Sequence, residues 1–330
     1  MLRRILFALL LILPELLLAQ DPQFSQFYAN PIYLNPAFAG AQRCPRVNLN
    51  YRNQWPALSG NFITYTASYD QHVDPIGGLG LIVMNDKAGE STLTTTSVSG
   101  IYSYQLNVTR EFSIRAGFQA TYFQKKVDWD KLTFGDMIDP RYGFVYQTQE
   151  IRPNENRSFW DFSAGLLAYS NRFYGGISAH HLTEPQEFYI KEAPGSELPM
   201  KITAHAGAII PLGGSRDNSV YISPNVLYQQ QRDFKQFNVG FYAAKAPLIG
   251  GVWYRGQDSF IALVGLQQGI FKFGYSYDVT VSKLYNASAG SHELSLGLLF
   301  PCHPKKARRC RAAMIYWRQG LRSPKPTSTC

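Results

Sequence analysis

Apolar residues in this chain recur at every second position, and that period leaves few architectures open. Phe271, Phe273, Tyr275, Tyr277 and Val279 alternate with Lys272, Gly274, Ser276 and Asp278. Phe112, Ile114, Ala116, Phe118, Ala120 and Tyr122 alternate with Ser113, Arg115, Gly117, Gln119 and Thr121, and Phe237, Val239, Phe241 and Ala243 with Asn238, Gly240, Tyr242 and Ala244. Successive side chains of a strand point to opposite faces, so each segment has one apolar face and one polar or small face. Helical periodicity is hard to find anywhere in residues 44–300.

Such segments recur near residues 46–54, 61–71, 79–86, 91–105, 110–126, 159–170, 172–182, 200–210, 219–230, 234–245, 248–256, 258–268, 269–279 and 290–300, about fourteen in all. Many reach the roughly 9–11 residues of a tilted membrane strand, and the number is even, as bacterial single-chain barrels favour. The expected fold is all-β, a transmembrane antiparallel β-barrel of about 14 strands over 46–300. Two tandem sandwiches are the alternative, but they call for shorter strands and a polar linker. Lipid on one face and lumen on the other also account for a mean hydropathy of −0.19, because only alternate residues meet hydrocarbon.

The connections sharpen this expectation. With the mature N-terminus in the periplasm, the connections after even strands are periplasmic. They are short, with turn formers such as Asp74-Pro75 and Gly213-Gly214. Connections after odd strands include the two longest, 127–158 and 183–199. Short periplasmic turns and long external loops are the asymmetry of outer-membrane barrels. The external loop 127–158 carries Trp129, Phe134, Tyr142 and Phe144 among charged residues, a composition suited either to recognition or to folding over the barrel's own mouth.

The two ends read differently. Residues 1–19 are Met-Leu-Arg-Arg, an apolar run and Ala19, which predicts a signal peptide cleaved near Ala19. The run is shorter than the roughly 20 residues of a helical span. Residues 301–330 form a basic periplasmic tail with eight Lys and Arg and no acid, among them Lys305, Lys306, Arg308, Arg309 and Arg311. Residues 20–300 balance 22 basic with 22 acidic side chains, so the net charge of +9 belongs to the ends. A neutral body argues against nucleic acid as a partner. The tail's positive patch suits an acidic periplasmic partner or lipid headgroups, or is simply solvated.

Export permits disulfides among Cys44, Cys302, Cys310 and Cys330, and the spacing does not choose a pairing. Cys302, His303 and Cys310 match no common zinc spacing, so no metal is expected. The six histidines are scattered. His180 and His181, being adjacent, should face opposite sides of a strand. No nucleophile elbow or zinc-protease helix motif occurs, so neither an enzyme nor a cofactor is expected.

Residues 20–45 are an N-terminal arm that is no obvious strand. Pro22, Pro31 and Pro36 remove donors, Asn30-Pro31 and Asn35-Pro36 start turns, and Phe24, Phe27, Tyr28, Ile32, Tyr33, Leu34 and Phe38 are apolar anchors. It suits either a plug packed in the barrel mouth or lumen, or an ordered periplasmic lead-in. The string Asp21-Pro22-Gln23-Phe24-Ser25-Gln26, then Asn30-Pro31, then Asn35-Pro36-Ala37-Phe38-Ala39-Gly40 resembles the opening signature of the PorP/SprF family. Tyr51-Arg52-Asn53-Gln54-Trp55-Pro56 and Gly290-Ser291-His292-Glu293 continue the resemblance, which covers roughly residues 20–300.

The resemblance implies an integral outer-membrane protein of the Bacteroidota tied to type IX secretion and, in some members, gliding motility. It implies a secreted surface protein, bound, exported or tethered through its C-terminal domain, as the partner. Periplasmic secretion-motor components are a further candidate partner, reached through the basic tail. The residues themselves leave a different reading open, a channel for hydrophobic or small solutes, and the state of the lumen separates the two.

Overall fold

The fold, seen in a computed structural model, is described for residues 21–301 except 91, 110, 151–154, 188–196, 213–219 and 282–288. Fourteen long strands follow one another: β1 Arg46–Gln54, β2 Phe62–Val73, β3 Gly77–Ala88, β4 Leu93–Asn107 and β5 Ser113–Val127. Next come β6 Asn156–Tyr169, β7 Phe173–His180, β8 Lys201–Ala208, β9 Val220–Gln231 and β10 Phe234–Lys245. The last are β11 Leu248–Arg255, β12 Ser259–Gln268, β13 Phe271–Thr280 and β14 Ser291–Leu299. Each pairs antiparallel with its neighbours in sequence. The circle closes where β1 meets β14, in a register from Arg46↔Leu299 to Gln54↔Ser291. Closure leaves no unpaired edge, which hydrocarbon requires.

The alternation read from the sequence sorts as a barrel demands. Ile114, Phe118 and Tyr122 of β5 face outward and are exposed, while Arg115, Gln119 and Thr121 face the lumen and are buried. Rings pair across strands on the outer surface, with Tyr51 on Tyr65, Tyr122 on Trp160 and Tyr254 on Phe260 at 5.0–5.3 Å between centroids. These pairs sit toward the end that carries the long connections, where an aromatic girdle meets the membrane interface. No helix among the described residues is long and apolar enough to cross a membrane; this chain crosses with strands.

The hydrophobic core lies inside the barrel and is built around the arm. Ile32, Ala37, Phe38 and Ala39 pack with Ile82, Ile101, Leu167 and Tyr169 on one wall. Tyr28 and Ala29 pack with Leu227, Tyr242, Trp253, Ile261 and Leu263 on the other. Leu34 touches both groups. Burying each such large side chain contributes about 1.5–3 kcal/mol, so the arm is an integral part of the fold. Of the two placements open in the sequence, the lumen is the observed one.

The external loop after β5 folds on itself. Ile138–Asp139 and Gly143–Phe144 form a two-rung hairpin, and Asp139 accepts from the backbone N–H groups of Arg141 and Tyr142, which hold its carboxyl below the usual range. Lys131 Nζ reaches the carbonyl of Glu90 in the neighbouring connection.

Candidate functional site: a threaded lumen and its outer vestibule

The arm runs the length of the lumen, and its local structure follows from its prolines and asparagines. Pro31 opens a single helical turn, Pro31–Leu34, at the position where a missing N–H costs nothing. Asn35 then caps a short 3-10 turn, Pro36–Phe38, its Oδ1 accepting from the Ala37 N–H. The same side chain donates from Nδ2 to the carbonyls of Leu166 and Ile177, both at 3.1 Å.

The wall makes room with glycine. Gly117 and Gly165 face each other in the β5–β6 ladder. A Cβ at Gly165 would fall 2.0 Å from Asn35 Oδ1, and one at Gly117 would fall 2.3 Å from the Ala37 nitrogen. Lower down, Arg115 donates to the carbonyls of Ala37 and Ala39, and the Gly40 N–H donates to Asp70, which also holds Arg46 in a two-point ion pair. Gly40 therefore lies at the end with the short connections.

Higher up, Ser25 sits in a buried cage of charge. Its N–H donates to Glu293 at 2.6 Å and its hydroxyl donates to Asp278 at 2.6 Å. That hydroxyl accepts from Arg52 at 2.6 Å and from Arg255 at 3.0 Å. Arg52 is also ion-paired with Asp278 and Glu293, so two arginines balance two carboxylates in a buried site. Gln26 continues the contact, donating to the Glu293 carbonyl and accepting from Ser295.

At the outer end the arm is latched. Asp21 Oδ2 lies 2.9 Å from His181 Nε2 and 3.4 Å from Lys201 Nζ, and His181 Nδ1 lies 2.8 Å from Asp161 Oδ2. Burial favours the neutral acid at Asp21, but the charges of His181 and Lys201 win and hold its carboxyl well below the usual range. Burial likewise pulls His181 down, while Asp21 and Asp161 outweigh it and push the imidazole up to about 9. His181 is thus an imidazolium at neutral pH, donating to both carboxylates.

This overturns one expectation. His180 and His181 both line the same space, because β7 stops at His180 and His181 turns away with φ 59°. The opposite-face rule holds only while the strand continues.

Above the arm opens a vestibule of about 1030 Å³. Trp55, Ala88, Asp233 and Gly256 place it at the end with the long connections, and Asp21, Pro22, Gln23 and Tyr33 form its floor. No residue of the loop 128–150 lines it. Of that loop's four candidates, Trp129 and Phe134 pack on each other at 4.9 Å, while Tyr142 and Phe144 stand 77% and 62% exposed.

The structure thus brings all eleven signature residues, from Asp21 to Gly40, together in one lumenal segment. It does not bring the external-loop aromatics to them. Lys305, Lys306, Arg308, Arg309 and Arg311 lie outside the described residues, as do Cys302, Cys310 and Cys330. Cys44 is disulfide-bonded. Among the described residues no group of His, Cys, Asp and Glu is placed to hold a metal.

Asp70, Asp161 and Arg255 hold the arm without any mark in the sequence reading, and Arg115, His181 and Asp278 are named there without that role. The available signal was charge at lumen-facing strand positions, as at Arg115, Arg255 and Asp278.

Among solved structures, the chain is similar to the Acinetobacter baumannii outer-membrane protein Omp33, at 10% identity and TM-score 0.45 over 79% of this chain and 100% of that one. It is similar to the Ralstonia pickettii toluene transporter TbuX, at 10% identity and TM-score 0.48 over 83% and 94%. A Pseudomonas aeruginosa FadL homologue aligns at 11% identity and TM-score 0.45 over 82% and 93%. No curated protein matches the chain. Residues 17–298 match the family described as type IX secretion system membrane protein PorP/SprF. A match over most of the chain, together with a closed 14-strand barrel, makes this protein a member of the PorP/SprF family of type IX secretion outer-membrane proteins.

Proposed function

We propose that this protein is a non-enzymatic barrel that binds a secreted surface protein through that protein's C-terminal domain and helps to export it or tethers it outside the cell. The observation that carries this reading is the threaded lumen. A barrel of about fourteen strands is wide enough to conduct, yet here the arm packs against both walls of the lumen and is fixed at both ends by buried polar contacts. A lumen occupied in this way favours a docking platform over a passive solute channel. The vestibule and the exposed Tyr142 and Phe144 give that platform two outward surfaces. The proposed setting is the outer membrane of a Bacteroidota bacterium, reached after cleavage near Ala19, with gliding motility as one use of the displayed protein. The basic tail is proposed to meet periplasmic secretion components.

Deleting the gene and comparing surface proteins with the parent strain tests this reading. Loss of one or a few displayed proteins, and their co-purification with the barrel from solubilised outer membranes, is the expected result. Unchanged display of every secreted protein overturns it.

A further inference from the structure

The outer vestibule is more than the space left above the arm. Its described lining holds six carboxylates (Asp21, Asp86, Asp161, Glu187, Asp233 and Asp258) against three lysines, two histidines and no arginine. Residues 20–300 as a whole balance 22 acidic with 22 basic side chains, so this surplus of three carboxylates over lysines is local to the vestibule. Several of these charges are spoken for, since Asp21 and Asp161 hold His181, and Glu187 pairs with Lys125. Asp86 accepts from the Thr64 hydroxyl and has no ion-pair partner among the described residues, and Asp233 is exposed at the rim. The vestibule therefore keeps a net negative potential over walls of low dielectric, which focuses it.

A second feature points to the kind of group it would take. Gln119 lines the vestibule, is 8% exposed, and uses its amide NH2 to bond Ser99 and Thr121. Its Oε1 is buried with no partner. A buried acceptor without a donor is costly, and a ligand N–H placed there removes the cost. Apolar faces from Trp55, Phe62, Phe123 and Tyr33 complete the lining.

We propose that the vestibule receives an extended, cationic segment of polypeptide, its Lys or Arg side chains set toward Asp86 and Asp233 and an N–H set on Gln119 Oε1. The volume admits a few residues of chain but not a folded domain. The partner of this chemistry is the surface protein proposed above, so the inference rests on that reading and names which part of the partner enters. Because Asp21–Gln23 and Tyr33 are the floor, an occupant touches the arm directly. The bound segment and the plug then share one surface.

The test uses full-length protein purified in detergent and three fluorescent decapeptides that alternate glycine with lysine, glutamate or serine. The lysine peptide is expected to bind alone and to weaken with salt. Asp86→Asn is expected to weaken it by about tenfold or more. Asp86 and Gln119 make no hydrogen bond to the arm among the described residues, so this variant leaves the plug in place. A second variant, Thr95→Cys, carries a bulky maleimide into the vestibule and should abolish binding.

Equal binding of the three peptides overturns the proposal. So does displacement of the lysine peptide by maltohexaose, or binding indifferent to both variants. The outcome separates from the parent reading. Peptide binding with unchanged surface display removes the tethering function alone. A co-purifying surface protein with no binding of the lysine peptide removes the vestibule assignment alone.

Discussion

The carboxylate of Asp21 lies 2.9 Å from the Nε2 of His181, a residue 160 positions further along the chain, at the outer end of the barrel. Within the described residues the arm therefore runs from the external end of the lumen to Gly40 at the opposite one, so Asp21, just after the expected cleavage point, lies outward and not in the periplasm, while β1 still starts at the periplasmic end. A plug fixed in this way has an upper clasp between side chains of the arm and the wall and a lower one in which the wall's Asp70 and Arg115 side chains hold the backbone of Gly40 and Ala39.

That clasp sets a pH window. His181 is raised to about 9, so its contribution is fully present below its ordinary value near 6.5 and is lost as pH rises through about 9. Asp21 is lowered, so its contribution is present above the usual carboxylate range and is lost only in strong acid. Lys201 and Asp161 face the same pair. A cysteine at Gln23 should be slow to react with an impermeant maleimide at neutral pH and faster above about pH 9, and His181→Ala should be fast throughout. Reactivity that stays flat across this range after correction for thiol ionisation would sink the clasp.

The glycine hollow gives a conductance prediction. Gly165→Leu places a side chain where Asn35 Oδ1 and Pro36 now lie, and overpacking of this kind costs about 1–3 kcal/mol. The barrel wall is independent of the arm for its ladders, so the variant should still show the heat-modifiable migration of a folded barrel. Its arm should loosen, and in planar bilayers it should flicker open where the parent protein stays shut. Removing residues 21–41 should give a steady conductance. A silent deletion variant that is verifiably folded would mean that something other than the arm closes the lumen.

Much of this was legible in the sequence, for a simple reason. The period of two survives in lipid, so Phe271 to Val279 and Ile114 to Tyr122 announce both the strands and their faces. The arm was equally visible as a segment, because Pro22, Pro31 and Pro36 forbid a strand there. Its destination was not visible. Arg52 and Glu293 lie 241 positions apart and meet only because the first and last strands close the circle. Gly117 and Gly165 look like ordinary strand glycines until Pro36 is seen lying across them. Adjacent histidines read as opposed until one knows that β7 ends between them. The first two misses depend on a long-range register, of which alternation within one strand carries no record, and the third on where a strand stops.

The Ser25 cage predicts strong coupling. Arg52→Ala leaves Asp278 and Glu293 buried with only Arg255 to balance them, and breaking a buried pair in this way costs about 3–5 kcal/mol. Thermal unfolding of the detergent-solubilised protein should show it as a clear drop in Tm. Adding Glu293→Gln removes one of the stranded charges and should restore part of the loss, so the double variant should be more stable than the sum of the single ones implies. Strict additivity would mean that the charges are solvated and that the cage does not act as a unit.

The exposed loop offers the converse case, in which function should change while stability does not. Tyr142 and Phe144 are the most solvent-facing of the four loop aromatics, and both belong to a hairpin held by Asp139 and not by the barrel. Replacing both with serine removes apolar surface from solvent, so Tm should move by no more than about 1 °C-scale scatter of a surface change, within roughly 0.5 kcal/mol. If the loop is the partner's outer contact, aromatic anchors of this kind carry a large share of the binding energy. Recovery of the surface protein in pull-downs should then fall by about tenfold or more. Unchanged recovery with an intact barrel would assign recognition to the vestibule and leave the loop as a self-contained cap on β5 and β6.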